Sequence, residues 1–515
     1  MNSLKNLRGR KSALLFFVLI LIGLSFVYPA LVQAQASSDL SREKILFTVG
    51  YAHLDTQWRW DYQKTIKEYI WKTMVDNFSL FEKYPHYVFN FSGANRYRMM
   101  NEYYPEEYKK VKDYVAQGRW FPAGSSMEEN DVMAPSAESI IRQVLYGTHY
   151  FRREFGFSSR EYILPDCFGF PASLPSILAH CGLKGFSTQK LSWGSAIGIP
   201  FNLGVWDGPD GQSLIAALNP GDYVSKISGD LTQNEIWMKR VKDNGQKYGV
   251  YADYMYYGTG DVGGAPDENS VINLEKSLAS SRESEIKIAA SKAEDLFVAI
   301  TPEQKQKLPV YRGEFLLTNH SAGSITSQAA IKRWNRKNEF LGFSAETAAV
   351  IGAWSGGIGY DQTRLNEAWR LVLGAQFHDI LPGTSIPRAY EFSWNDEILA
   401  ANQFEQVLKN SAGAVIGGLD TRVTGRPLAV YNPLAFDRED LVEAEVEFPE
   451  AITSCRVFGP DGLETPSQIK DIEGNRVKII FLAKVPSLGF SVYDVRPSVQ
   501  PCQQNTGLKA ENNIF

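Results

Sequence analysis

The chain has 515 residues, 44% of them hydrophobic, 22% charged and 13% aromatic, the composition of an ordered globular protein with room for about three domains. A formal net charge of −5 offers no clustered basic surface to a nucleic-acid backbone. Four cysteines without paired C-x-x-C spacing exclude a disulfide scaffold and a structural zinc site made of thiolates.

The first 36 residues read as a leader that stands outside the fold. Lys5, Arg8, Arg10 and Lys11 precede an apolar run from Ala13 to Val32, and small-x-small sites follow at Ala34 and Ala36. This pattern predicts a cleaved signal peptide and an exported protein, periplasmic or extracellular. The competing reading is an uncleaved N-terminal anchor. No later stretch is long and apolar enough to span a bilayer.

Residues 37–320 alternate short apolar runs with amphipathic stretches. Runs at 45–49, 87–91, 162–164, 213–217 and 254–257 read as buried strands, with helical spacing between them. That order predicts an α/β domain whose parallel strands form a barrel-like sheet. Residues 321–418 change character: Ala330, Trp334, Leu341, Ala345 and Ala348 repeat at helical spacing. Two further helices are expected near 362–380 and 386–412, the last opened by Pro387 and stopped by Gly417-Gly418, so a three-helix bundle is the simplest account. Residues 419–515 turn to β alternation, clearest at 441–448 and 477–481. They predict the beginning of a β-sandwich that the chain leaves incomplete, with an apolar face lacking its partner.

In parallel α/β sheets and barrels, sites form at the carboxyl ends of strands. The first strand runs into His53 and Asp55, two apart in an extended segment and so pointing the same way. Alone, such a pair is more often a hydrogen-bonded strand end than half of a metal site. Asp166 follows the strand at 162–164 among apolar neighbours, where burial is costly without a function. Asp261 ends Gly258-Thr259-Gly260, whose glycines let a ligand approach the backbone, although an acid there argues against a phosphate loop. His378-Asp379 closes the second bundle helix, where capping is the ordinary reading. As a set, His53, Asp55, Asp166 and His378 can close around a divalent cation, and two imidazoles favour zinc. Asp166 and Asp261 supply the carboxylate pair of glycoside hydrolysis. Trp58, Trp60 and Trp193 offer flat faces on which a sugar can stack.

The segments at 53–58, Gly118-Arg119-Trp120 with Glu129 and Asp131, 164–169, 188–193, 258–261, 326–328 and 376–383 resemble glycoside hydrolase family 38, the zinc-dependent class II alpha-mannosidases. The likeness spans about residues 45–395 in the family's order. It implies a barrel-like α/β catalytic domain, a three-helix bundle and then β domains. It implies a retaining, exo-acting alpha-mannosidase that hydrolyses terminal alpha-mannosyl residues of glycans through a covalent mannosyl-Asp intermediate. Carried onto this sequence, Asp166 is the nucleophile and a zinc ligand, and His53, Asp55 and His378 complete a site for one zinc ion. Asp261 takes the acid/base position. Trp58 stacks on the sugar, while Lys190 and Asp379 hold its hydroxyls.

Two departures stand out. The glycine-rich motif reads Asp261-Val262-Gly263-Gly264-Ala265, with fewer glycines than is usual, and Met127 stands where an aromatic is common. Family members also run far beyond this length. The competing functions are a metal-dependent carbohydrate deacetylase and an inactive, truncated glycan-binding remnant. Whether Cys167 and Cys181 pair is left open, as is oligomerisation.

Overall fold

The computed structural model of the chain describes residues 39–318, 320 and 322–504, and the expected leader at 1–36 lies outside them. Ten strands build the first part: β1 (Lys44–Ala52), β2 (Phe89–Ser92), β3 (Trp120–Ala123), β4 (Glu161–Ile163), β5 (Gly185–Ser187), β6 (Leu203–Asp207), β7 (Ser213–Ala217), β8 (Ala252–Thr259), β9 (Ile286–Ala290) and β10 (Val310–Arg312). β1 is buried from its second residue onward, and its unbroken apolar run is what a strand covered on both faces requires. It pairs in parallel with β8 along one edge. Along the other it pairs with β9 over its first half and with β2 beyond. β3 extends this sheet as its edge strand, which is where Pro122 is tolerated.

The second sheet runs β10-β6-β7-β5-β4 and is parallel except for the β6–β7 pair, a hairpin closed by the Gly208–Gln212 turn. The two sheets share one core. Phe47, Val49, Tyr254 and Tyr256 of the first meet Ile163, Val205 and Ile215 of the second. The expected parallel, barrel-like α/β architecture is therefore present, built as two facing sheets.

Helices α1 (Ala94–Tyr103) and α2 (Ala137–Phe155) cover the first sheet and lead towards the bundle. The bundle comprises α3 (Ala329–Ser355), α4 (Gln362–Ala375) and α5 (Pro387–Ile416). Pro387 opens α5 and Gly417 caps it, as the sequence suggests. The second bundle helix is shorter than expected. After Ala375 the chain leaves the helical path because residues 129–131 compete for its backbone: Asp131 N–H donates to the Gln376 carbonyl (2.8 Å) and His378 N–H to the Glu129 carbonyl (3.2 Å). His378-Asp379 is thus not a helix cap. It sits on a loop fastened to the carboxyl end of the α/β sheets.

The C-terminal strands are β11 (Arg426–Tyr431), β12 (Arg438–Glu447), β13 (Ser454–Phe458), β14 (Glu464–Thr465), β15 (Ser467–Glu473), β16 (Arg476–Val485) and β17 (Phe490–Ser498). They form two antiparallel sheets, β11-β17-β13-β14 and β12-β16-β15. Where an uncovered apolar face is expected, the two sheets cover each other through Val446, Val457, Val477, Phe481 and Val495. No helix among the described residues is long and apolar enough to cross a membrane.

Candidate active site

The register of β1 against β8 decides where the first acids and imidazole lie. Ala52 is opposite Thr259, so both strands end together. Beyond them the chains stay clipped: His53 N–H donates to Thr259 O, Asp55 N–H to Asp261 O and Gly263 N–H to His53 O, each at 2.8–2.9 Å. Gly263 takes φ +60°, and a Cβ there would stand 2.4 Å from Thr73 Oγ1. This position of the shortened glycine motif therefore cannot carry a side chain. Asp166 projects from the end of β4, and Lys190 lies in the turn of helix after β5.

Three ligand-type atoms from distant segments meet in the interior. His53 Nε2 lies 3.0 Å from Asp55 Oδ1, and His378 Nε2 lies 3.3 Å from the same oxygen. All three side chains are buried, and none of the three atoms makes a hydrogen bond. Buried ligand atoms facing one another at these distances are costly unless a proton or a cation satisfies them. Two ligands at the usual zinc bond length and a tetrahedral angle stand about 3.4 Å apart. The residues therefore fit a divalent cation.

The outer contacts favour the same orientation. His378 Nδ1–H donates to the Glu129 carbonyl at 2.8 Å, which leaves Nε2 free to face the centre. His53 Nδ1 faces Glu129 Oε2 at 3.1 Å. The Trp60 indole donates to Asp55 O at 2.9 Å, so Trp60, expected as a sugar platform, is instead a buried support for Asp55. Asp166 stands beside the trio with Oδ2 4.0 Å from His378 Nε2, while Oδ1 accepts from Lys190 Nζ at 2.5 Å. The Lys190 ammonium is thus engaged by Asp166 before any substrate arrives. Asp379 is buried, accepts from Thr384 Oγ1 at 2.5 Å and lies 3.8 Å from His378 Nε2. Trp58 is half-buried, with the Arg59 guanidinium 4.2 Å over its ring. Trp193 is 45% exposed beside Lys190, whose Nζ is 4.3 Å from its ring.

Several residues that sequence reasoning left without a role complete the site. The Tyr223 hydroxyl donates to Asp261 Oδ1 at 2.8 Å, and its ring lies 4.7 Å from that of His53. Burial, then the charges of Asp166 and Asp261, hold this phenol well above the usual tyrosine range, so it stays a donor to Asp261. Glu129 is enclosed by Tyr51, Ser92 and the buried guanidinium of Arg96, 3.4 Å away. Arg96 also donates through Nε to the Leu54 carbonyl at 3.1 Å and so fixes the His53–Asp55 segment. The motif that contains Glu129 is visible in the sequence, but its contact with His53 depends on the sheet and not on spacing. Arg96 and Tyr223 leave no signal of their own.

Charges set the protonation of the site. Burial would lower the His53 pKa, but Glu129 and Asp55 outweigh it and raise the pKa to about 10. Burial opposes the Asp55 charge, yet His53 and His378 draw its carboxyl down to about 2. For Asp379, burial and then the Asp55 charge push the carboxyl up to about 8. In the metal-free protein a proton on His53 does the work that a cation does when bound. Cys167 is a buried thiol that donates to the Asn130 carbonyl at 3.3 Å and is not bonded to Cys181.

The profile of the glycosyl hydrolases family 38 N-terminal domain matches residues 44–314, and that of the alpha mannosidase middle domain matches residues 320–415. Alpha-mannosidase G of Dictyostelium discoideum is 33% identical over 75% of this chain and 34% of its own length. Human alpha-mannosidase 2C1 is 31% identical over 67% of this chain and 32% of its own. The chain thus spans about a third of the length of these relatives. The crystal structure of an alpha-mannosidase from Enterococcus faecalis V583 superposes with a TM-score of 0.71 at 17% identity, covering 90% of this chain and 57% of that one, a likeness of fold. The profile over residues 44–314, supported by the relatives, settles the family: the chain belongs to glycosyl hydrolase family 38.

Proposed function

We propose that the chain is a retaining exo-alpha-mannosidase that removes terminal alpha-mannosyl residues from glycans. The observation that carries this reading is the buried, unbonded trio of His53 Nε2, Asp55 Oδ1 and His378 Nε2 beside Asp166, in a family 38 chain with Asp261 clipped to the same strand ends. His53, Asp55, His378 and Asp166 would hold one zinc ion, which when bound supplies a Lewis acid for vicinal hydroxyls of the sugar. Asp166 attacks the anomeric carbon. Its partner Lys190 holds Oδ1 and leaves Oδ2 on the His378 side. Because Tyr223 donates to Oδ1 of Asp261, Oδ2 is the oxygen left to pass a proton to the leaving group. Asp261 then takes a proton from the water that releases the product. Asp379, beside His378 and accepting from Thr384 Oγ1, is placed to hydrogen-bond a sugar hydroxyl, with Trp58 as an apolar face. The basic and apolar first 36 residues support action outside the cytoplasm.

The test is a chromogenic alpha-mannoside with purified protein. Turnover abolished by a chelator, restored by zinc and giving alpha-mannose as first product is expected. Release of acetate from acetylated sugars without mannoside hydrolysis would favour a deacetylase, and mannose binding by zinc-loaded protein without turnover would favour a glycan-binding remnant.

A further inference from the structure

A cleft of about 350 Å³ lies where the α/β part meets the bundle, and the reaction above does not use it. Asn95 and Arg98 of α1 line one side, Arg370 of α4 and Asp396 of α5 the other, with Tyr62 and Phe392 packed edge to face at 6.2 Å. This chain habitually pairs its half-buried arginines. Arg142 meets Glu346, Arg240 meets Asp253 and Arg456 meets Glu464, each at 2.6 Å. Arg98 and Arg370 depart from that habit. Arg98 donates once, to Asn95 Oδ1 at 3.0 Å. Arg370 makes no hydrogen bond, and neither has an ion-pair partner within 4.0 Å among the described residues. Both guanidiniums line the one cleft, and burial, then the charge of Arg370, lower the pKa of Arg98 against the opposing charges of Glu102 and Glu128.

Glu102 and Asp396 share this lining, yet neither comes within 4.0 Å of a guanidinium, so the two cations lack a counter-ion in contact. Each guanidinium presents five N–H donors in a planar fork that matches phosphate or carboxylate oxygens two at a time. Of the ten donors here, one is engaged. The volume suits a ligand of metabolite size. Asp396 stands near Arg370 without reaching it, its carboxyl pushed up to about 6 by burial. That places a hydroxyl acceptor at the far side of the cleft.

We propose that the cleft binds a phosphate-type oxyanion between Arg98 and Arg370, either the free ion or the ester end of a small sugar phosphate whose hydroxyls meet Asp396. Titration calorimetry on the full chain tests this with inorganic phosphate, glucose 6-phosphate and glucose as probes, and its readout is independent of mannoside turnover. Binding of one or both phosphates, but not of glucose, is expected. A tighter sugar phosphate assigns the cleft to the ester, and equal affinities assign it to the ion. Arg370→Met should weaken binding at least tenfold, whereas Asp396→Asn should strengthen inorganic phosphate binding by removing a negative neighbour. Should Arg370→Met fail to fold, judged by circular dichroism, Arg370→Lys serves instead and should weaken binding less. Absence of heat with both phosphates, equal binding of glucose, or unchanged affinity in the folded arginine variant overturns the proposal.

Discussion

The carboxyl end of the α/β sheets and the C-terminal sandwich solve opposite problems. At the sheet ends His53, Asp55, Arg96, Glu128, Glu129, His378 and Asp379 are all buried together, and several of their polar atoms lack hydrogen bonds. In the sandwich the interior is apolar, while charged pairs such as Lys470–Glu443 and Lys484–Glu439 stand outside on half-exposed side chains. The first arrangement costs stability unless an ion completes it. The second follows the usual division between core and surface, with outer pairs that add little. The contrast teaches that the strand ends are shaped by chemistry and the sandwich by packing.

The largest effect expected from breaking one side of this comparison is chemical. Asp166→Asn should lower turnover of a chromogenic alpha-mannoside by on the order of 10⁴ or more. Bound zinc, measured by elemental analysis, should fall only in part, because His53, Asp55 and His378 remain. Unchanged hydrolysis removes Asp166 from the nucleophile role. On the other side, Phe481 is fully buried between the sandwich sheets. Phe481→Ala should cost about 3–5 kcal/mol in the calorimetric unfolding of that part. Zinc content and mannoside turnover at 25 °C should stay as they were. Metal lost together with sandwich stability would show that the two regions are one cooperative unit.

What could be read from the sequence follows the same division. Strands β1, β7 and β8 are continuous apolar runs, and the groups at the ends of β1 and β8 were legible because the runs stop where the chemistry starts. β5 and β10 have only three residues each, too short for any periodicity. β3 carries a proline that reads as a break. The end of α4 was misplaced because residues 129–131, more than 240 positions upstream, take the carbonyl and amide that the helix would have used. The contacts of Glu129, Arg96 and Tyr223 were hidden for a similar reason. Their partners lie 38 to 78 positions away and face them only once the sheets form. Ligands announce themselves locally, whereas the groups that orient them do not.

A smaller effect separates ligands from their supports. Glu129→Gln keeps the shape but removes the charge facing His53 Nδ1. Zinc affinity, measured against a competing chelator, should drop by about 10–100-fold. An unaltered affinity would mean that Glu129 balances Arg96 and does nothing for the metal.

The mildest test changes only pH. In the folded, metal-free chain burial lowers the His53 pKa while Glu129 and Asp55 raise it, to about 10, against an ordinary value of 6.5. Asp379, through burial and then the charge of Asp55, rises from 3.8 to about 8. Both groups hold more protons folded than unfolded across this interval, so stability falls as pH rises. The His53 contribution is complete below pH 6.5 and lost by about pH 10. The Asp379 contribution is complete below pH 3.8 and lost by about pH 8. Asp55, drawn down to about 2, acts in the other direction only below pH 4. The Tm of chelated protein should therefore decline between pH 6.5 and 10. A bound cation needs the imidazole neutral and takes over the role of its proton. Zinc-loaded protein should accordingly hold its Tm over the same range, and the two curves should diverge upward in pH. Parallel curves, followed by scanning fluorimetry, would show that the convergent charges at the strand ends are balanced without any ion.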